Sequence, residues 1–178
     1  MTNLILTIPT KSHETAIMDF RQEHIDRGER RINGSCGLFH YVNFDEWLEL
    51  VRQTEKAETS PMKLPATTYI SVRESDSKVI GTIQLRHYLN EEFEVKGYGH
   101  IGFGIRPSER QKGYAKEQLL LVLDEARKLN ITKVMLGCYA DNIASSKTII
   151  ACGGVFSHEI VEEGRISKVY WIDISTPR

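Results

Sequence analysis

What this chain lacks narrows its identity first. No stretch approaches the ~20 consecutive apolar residues needed to cross a bilayer, and the N-terminus has neither the basic flank nor the apolar run of a secretory signal. No membrane association is therefore expected, and the cytoplasm is the default compartment. Cysteine is scarce: Cys36, Cys138 and Cys152 form no CxxC and have no regular spacing, which argues against a disulfide scaffold or a zinc knuckle. The six histidines include no HExxH, so no metal site is expected. Excess charge is missing too. A formal charge of −1 gives no reason to expect nucleic acid or an anionic surface as partner. There is no GxGxxG and no GxxxxGK[ST], which removes the dinucleotide fingerprint and the P-loop. No internal repeat or low-complexity tract occurs.

What is there is an ordinary globular composition, 40% apolar and 26% charged over 178 residues, enough for one well-buried core. Leu4 to Ile8 reads as a short strand. His13 to Arg27 carries apolar positions at helical spacing and is closed by Gly28, and Asp45 to Lys56 forms a second amphipathic helix around Trp47, Leu48 and Val51. Between them, Arg31 to His40 reads as loop, with Gly34 and Gly37. Thr67 to Val72 and Val79 to Arg86 form a hairpin, and a polar loop at Asn90-Glu91-Glu92 leads to a third strand, Gly99 to Ile105. Arg110 to Leu129 is the longest amphipathic helix. Strand Lys133 to Tyr139 follows, then a helix from Asn142 that ends before Gly153-Gly154. The terminal hairpin, Val155 to Val161 and Ile166 to Asp173, turns at Glu162-Glu163-Gly164. This order predicts an α/β fold in which helices cover one sheet.

The densest chemistry lies between Gly99 and Ala115. A glycine-rich strand, Ile101-Gly102-Phe103-Gly104-Ile105, runs through Arg106-Pro107 into the longest helix. The first amides of such a helix lack intrahelical acceptors and sit at the positive end of its dipole, which makes a cradle for an anion such as a diphosphate. Gly113 lets backbone approach ligand closely, and Ala115 keeps the next turn open. Ser108 followed by Gln111 also fits a capping box, in which case the helix start binds only its own side chains.

The run Ile105-Arg106-Pro107-x-x-Arg110-x-x-Gly113-x-Ala115 resembles the Arg/Gln-x-x-Gly-x-Gly/Ala motif of the GNAT superfamily, the GCN5-related N-acetyltransferases. A second block, Asn142 to Gly153-Gly154, is similar to the later helix of that family. The resemblance implies a single GNAT-like domain over residues 1–178, with a mixed central sheet splayed at the coenzyme strand. Residues 1–66 would contribute the acceptor side, and residues 67–178 the coenzyme core and terminal hairpin. It also implies acetyl-CoA as cosubstrate. Phe103 and Ile105 would lie along its arm, Gln111, Lys112, Gly113, Tyr114 and Ala115 would form the pyrophosphate cradle with Arg110 adding charge, Asn142 would line the arm, and Ser145 or Lys147 would reach the phosphates. The partner would be a primary amine on a small molecule or peptide, and a homodimer stays open as the assembly.

One position departs from the family. The tyrosine that many members carry seven residues after the Asn, as acid toward the departing thiolate, is Ile149 here. An acetyl-CoA-binding sensor is therefore the alternative to an enzyme. In the enzyme reading, an amine attacks the thioester directly. A lysine-like amine with pKa near 10.4 is neutral in only about one part in 2,500 at pH 7, so a base is useful. His100, His87 and Glu94 are the candidates for it, and Tyr139 is the candidate acid. Cys138 as an acyl-carrying nucleophile is the weaker reading, because its apolar surroundings fit an inert thiol. The aromatics Phe39, His40, Tyr41, Phe44 and Trp47 form either a substrate wall or a core clamp. Glu91, Glu92 and Glu94 form either an attractor for a cationic amine or a plainly solvated acidic stretch.

Overall fold

The computed structural model describes residues 3–162 and 164–176. Four strands, β1 (Leu4–Thr7), β2 (Ala66–Arg73), β3 (Lys78–Arg86) and β4 (Ile101–Ile105), form one antiparallel sheet in the order β1-β2-β3-β4. Three more, β5 (Lys133–Tyr139), β6 (Val155–Glu162) and β7 (Arg165–Asp173), form a second in the order β5-β7-β6. The two sheets meet where β4 begins. There the His100 amide donates to the Met135 carbonyl at 2.7 Å, and the Met135 amide donates to His100 Nδ1 at 3.0 Å. Beyond this junction β4 and β5 run in the same sense but separate, so the sheet is mixed and splayed at these two strands.

Helices α1 (Glu14–Asp26) and α2 (Phe44–Thr54) cover one face. Ile17, Phe20, Leu38, Phe44, Trp47 and Val51 pack with Ile70 and Val79 of the sheet. The other face is covered by α4 (Tyr114–Lys128) and α5 (Ile143–Ala151), which follow the five-residue helix α3 (Glu91–Val95). Leu119, Val122, Leu123, Ala126 and Ile149 interlock there with Ile83, Leu85, Leu136, Tyr170 and Ile172. Removing this much apolar surface from water is the main stabilising term for a domain of this size.

Three expectations need correction. The long helix begins at Tyr114 rather than Arg110, because Gln111 and Gly113 adopt left-handed φ angles of 62° and 88° that no helix can include. Ser108 therefore caps nothing on α4: it lies in a 3-10 turn, Pro107–Glu109, and its amide donates to Glu23 at 2.6 Å. The polar loop at Asn90 is a short helix instead, whose Asn90 side chain accepts from the Phe93 amide at 2.9 Å. Glu163, expected from the sequence in the turn of the terminal hairpin, lies outside the described residues.

Trp47 is fully buried and donates through Nε1 to the Ser35 carbonyl at 2.8 Å. Arg21 of α1 donates to the carbonyls of Leu38 and Phe39. The aromatic cluster of the N-terminal half thus clamps the connection between α1 and α2, and its residues line neither cleft described below. The clamped loop lies flat on β4. A Cβ at Gly34 would stand 2.2 Å from the Gly102 carbonyl oxygen, and one at Gly104 would stand 2.8 Å from the Asn33 carbonyl oxygen. Only chain without side chains at these points brings Arg31 and Asn33 over the strand.

Candidate functional site

Strand β4 offers backbone rather than side chains. Its pairing with β3 sets Gly102 opposite Gln84 and Gly104 opposite Thr82. The flanking bonds run from the Arg86 amide to the His100 carbonyl and from the Arg106 amide to the Ile80 carbonyl, so the even-numbered residues of β4 are in the ladder. In an antiparallel strand the alternate groups point the other way. The amides of Ile101, Phe103 and Ile105 thus face the gap toward β5.

The gap widens into a cleft of about 810 Å³ at the start of α4. Gly113 is the N-cap and no side chain caps this helix, so its leading amides are left for a ligand at the positive end of a 15-residue dipole. A Cβ on Gly113 would meet nothing within 4 Å, so any side chain there would project into open cleft. Beneath the turn, buried Glu109 receives Lys78, Lys112 and Arg73 at 2.9, 2.9 and 3.0 Å. Burial opposes its ionisation, but these cationic hydrogen bonds outweigh burial and bring the carboxyl down to about 2. Lys112 is held in that cluster and does not line the cleft, unlike the other sequence-predicted coenzyme residues. The Arg110 guanidinium turns to Glu29, at 2.6 and 3.0 Å, and to the Ile105 carbonyl at 3.1 Å. Tyr114 is buried and its hydroxyl accepts from Arg73 at 3.0 Å, so its backbone is what it presents to the ligand.

Across the gap stands α5. Asn142 caps it, its side-chain oxygen accepting from the Ser145 amide at 3.1 Å, which leaves the NH₂ of the same side chain beside the cleft. Ser145 and Lys147 line the same wall. Ile149, where the resembled family often carries tyrosine, is 1% exposed and packed in the core.

A second cleft of about 390 Å³ continues from the first. Arg31, Asn33, Phe103, Asn142 and Ser145 line both. The smaller cleft adds Arg86, Lys96, Tyr98, Ile101, Gly137, Cys138, Tyr139 and Ser167. Tyr139 is held at its wall by two guanidinium groups over its ring, Arg165 at 3.5 Å and Arg31 at 5.2 Å from the centroid. Burial pushes the Cys138 thiol up, which fits a packed thiol rather than a nucleophile.

The four catalytic candidates are not brought together. Tyr139 lines the smaller cleft; His100, His87 and Glu94 line neither. His100 is buried at the sheet junction, and burial together with the nearby Arg86 charge lowers its pKa to about 4. Its Nδ1 accepts from Met135, so at neutral pH it is a neutral, structural imidazole. His87 shares a hydrogen bond of 2.8 Å with Thr67, and its pKa is lowered by burial. Glu94 is exposed on α3, as are Glu91 and Glu92. Sequence reasoning missed Arg31, Asn33, Arg86, Lys96, Tyr98 and Arg165. The signal available for the first two was the glycine pair in the loop after α1, which announces close backbone approach.

Residues 43–155 match the family model described as "Acetyltransferase (GNAT) domain", and the chain belongs to that family. No curated protein matches the sequence. Among solved structures, the fold is similar to that of RimL, a ribosomal L7/L12 α-N-protein acetyltransferase in complex with coenzyme A. The TM-score is 0.70 at 15% identity, over 98% of this chain and 96% of that one. It is also similar to spermidine N-acetyltransferase from Vibrio cholerae in complex with CoA and spermine. There the TM-score is 0.65 at 20% identity, over 97% and 96% of the two chains.

Proposed function

We propose that this protein transfers an acetyl group from acetyl-CoA to a primary amine by direct attack. The observation that carries this reading is the uncapped start of α4, preceded by two left-handed residues and opening on a cleft that continues between the splayed strands into a second one. The residues fit the coenzyme. The amides of residues 111–116 suit a diphosphate, Lys147 lies on the facing wall, and the outward amides of Phe103 and Ile105 suit the polar groups of an extended arm. The similar enzymes were solved with coenzyme A, which supports the same assignment. Acetyl-CoA supplies the activated acyl group.

The second cleft takes the acceptor, with the segment 31–34 forming one side of it and β5 the other. The amine nitrogen forms a bond to the thioester carbon, the carbon–sulfur bond breaks, and the thiolate leaves. One proton departs from the nitrogen and one arrives at sulfur, giving an amide and free CoA. The outward-facing amides of β4 stabilise charge on the thioester oxygen. Tyr139, at the cleft wall, donates the proton to sulfur. No carboxylate or imidazole lines the smaller cleft among the described residues; in this reading the amine gives its proton to water, without His100, His87 or Glu94. A titration with acetyl-CoA followed by an amine-panel assay tests the reading. Micromolar binding with CoA release only when an amine is present is the expected result. Binding without release across the panel would favour an acetyl-CoA sensor, the second reading, for which core-packed Ile149 speaks. No binding would end both.

A further inference from the structure

The smaller cleft has a charge that its predicted acceptor does not explain. Glu91, Glu92 and Glu94 lie outside it, and no Asp or Glu lines it among the described residues. Three cations do: Arg31, Arg86 and Lys96. Lys96 is paired with Glu92 at 2.9 Å, but the two arginines have no ion pair among the described residues. Arg86 is the informative one. It projects from the end of β3, rests on the Phe93 ring at 5.1 Å, and donates through one nitrogen to the Gly99 carbonyl at 2.8 Å. Burial alone lowers its pKa, with no carboxylate set against it. A guanidinium drawn partly out of water without a counter-ion is unfavourable in the empty cleft and becomes favourable when an anion arrives. Because the group is a planar fork, it suits a two-oxygen anion.

We propose, building on the acetyltransferase reading, that the acceptor is a small amine that also bears a carboxylate, and that Arg86, with Arg31 and Lys96, holds that carboxylate while the amine faces the acyl donor. The guanidinium side of the cleft then orients the substrate, and the β4 edge holds the reacting carbonyl. A polyamine would bring further positive charge to two guanidinium groups that have no ion pair among the described residues, and the like-charge contacts would disfavour it. The volume of about 390 Å³ is sufficient for an amino-acid-sized molecule.

The test is a matched panel with acetyl-CoA held constant, read by CoA thiol release. It would contain free amino acids, the same compounds as carboxamides, and spermidine. At least one amino acid should show kcat/KM about ten-fold or more above its carboxamide and above spermidine, as expected for a charge-assisted contact. Arg86→Gln should bring that acid-to-amide ratio toward one, mainly through KM. Because Arg86 also packs on Phe93, the exposed Arg31→Gln variant serves as the second probe and should reduce the ratio without altering the circular dichroism spectrum. Carboxamides or spermidine turned over as well as the acids would overturn the carboxylate assignment while leaving the acetyltransferase reading standing. A strong acid preference unchanged in both variants would overturn the role of these arginines. If acetyl-CoA binds by calorimetry but nothing in the panel releases CoA, the transfer reading fails and this inference fails with it.

Discussion

The two clefts are built from different materials. The larger one has backbone at its centre, the amides of residues 111–116, the outward edge of β4 and a helix cap, with side chains such as Glu29, Lys147 and Arg165 around them. The smaller one presents side chains gathered from the α1–α2 loop, the end of β3, the segment after α3, and β5. A backbone site depends on a few positions where the chain must turn or pass closely, so it leaves a local imprint at fixed spacing. A side-chain site is assembled from distant segments and can change its chemistry without disturbing the fold.

Three substitutions would break or sharpen this contrast. The largest effect is expected from Gly113→Glu. The new side chain projects into the larger cleft and sets a carboxylate at the helix start, where a diphosphate is expected. Acetyl-CoA affinity should fall by about 100-fold or more, roughly 3 kcal/mol, with a modest loss of Tm because a φ of 88° disfavours any Cβ, and little change in far-UV circular dichroism. Calorimetric titration checks it, and unchanged affinity would remove the cradle from the site.

Next comes Gly34→Ala, which acts where the two materials touch. Its Cβ would collide with the Gly102 carbonyl, and its φ of 70° disfavours any side chain. Loss of about 2–3 kcal/mol is expected, which for a chain of this size is roughly 5–10 °C in Tm. Acetyl-CoA affinity should weaken less than acceptor KM, because the loop carries Arg31 and Asn33. A Tm within 1 °C of the parent would show, by comparison with the roughly 2–4 °C expected per kcal/mol, that the loop is not clamped as described.

The smallest effect concerns His100. Its folded pKa of about 4 lies below the ordinary 6.5, so the folded state binds fewer protons than the unfolded one between those values. The stabilisation is therefore fully present above pH 6.5 and is lost as the pH falls toward 4. His24 and His87, also lowered by burial, add to the same slope. His100→Asn keeps an acceptor for the Met135 amide but removes the titration. Its Tm should decline less steeply between pH 6.5 and 4.5 in a scanning series. At neutral pH its acetyl transfer should retain the parent's pH–rate profile; a displaced acidic limb would return His100 to the mechanism.

How much of this was legible in the sequence follows the same division. Strand β5 has the predicted bounds, and most other elements fall within a few residues, because alternation and helical spacing report directly on the buried faces. The start of α4 was placed four residues early. Arg110 to Gly113 give no clear stop by composition, and the left-handed backbone at Gln111, uncommon for a residue with a Cβ, and at Gly113 shows otherwise. The residues named for the coenzyme all line the larger cleft except Lys112, whose charge is taken up by buried Glu109. The acceptor side was not. The acidic stretch at Glu91 is conspicuous in one dimension but faces solvent, whereas Arg86 ends a strand and carries no motif. His100 was attractive because it begins β4, yet that same position places it at the meeting point of two sheets.

That meeting point fixes where the two sheets part. The four- and three-stranded sheets are stitched at His100 and Met135 and diverge from there, which puts the far end of β4 about 16 Å from the stitch at roughly 3.3 Å per residue over five residues. A rotation of about 5° at the stitch would then shift the far end of the strand by about 1.4 Å, on the scale of a hydrogen bond made or lost. The stitch does not act alone: Ile83, Leu85 and Ile101 of one sheet and Leu136, Tyr170 and Ile172 of the other pack in one core with α4, so the spacing of the strands near Ile105 is set by that core as well as by the imidazole and the main-chain bond at their junction.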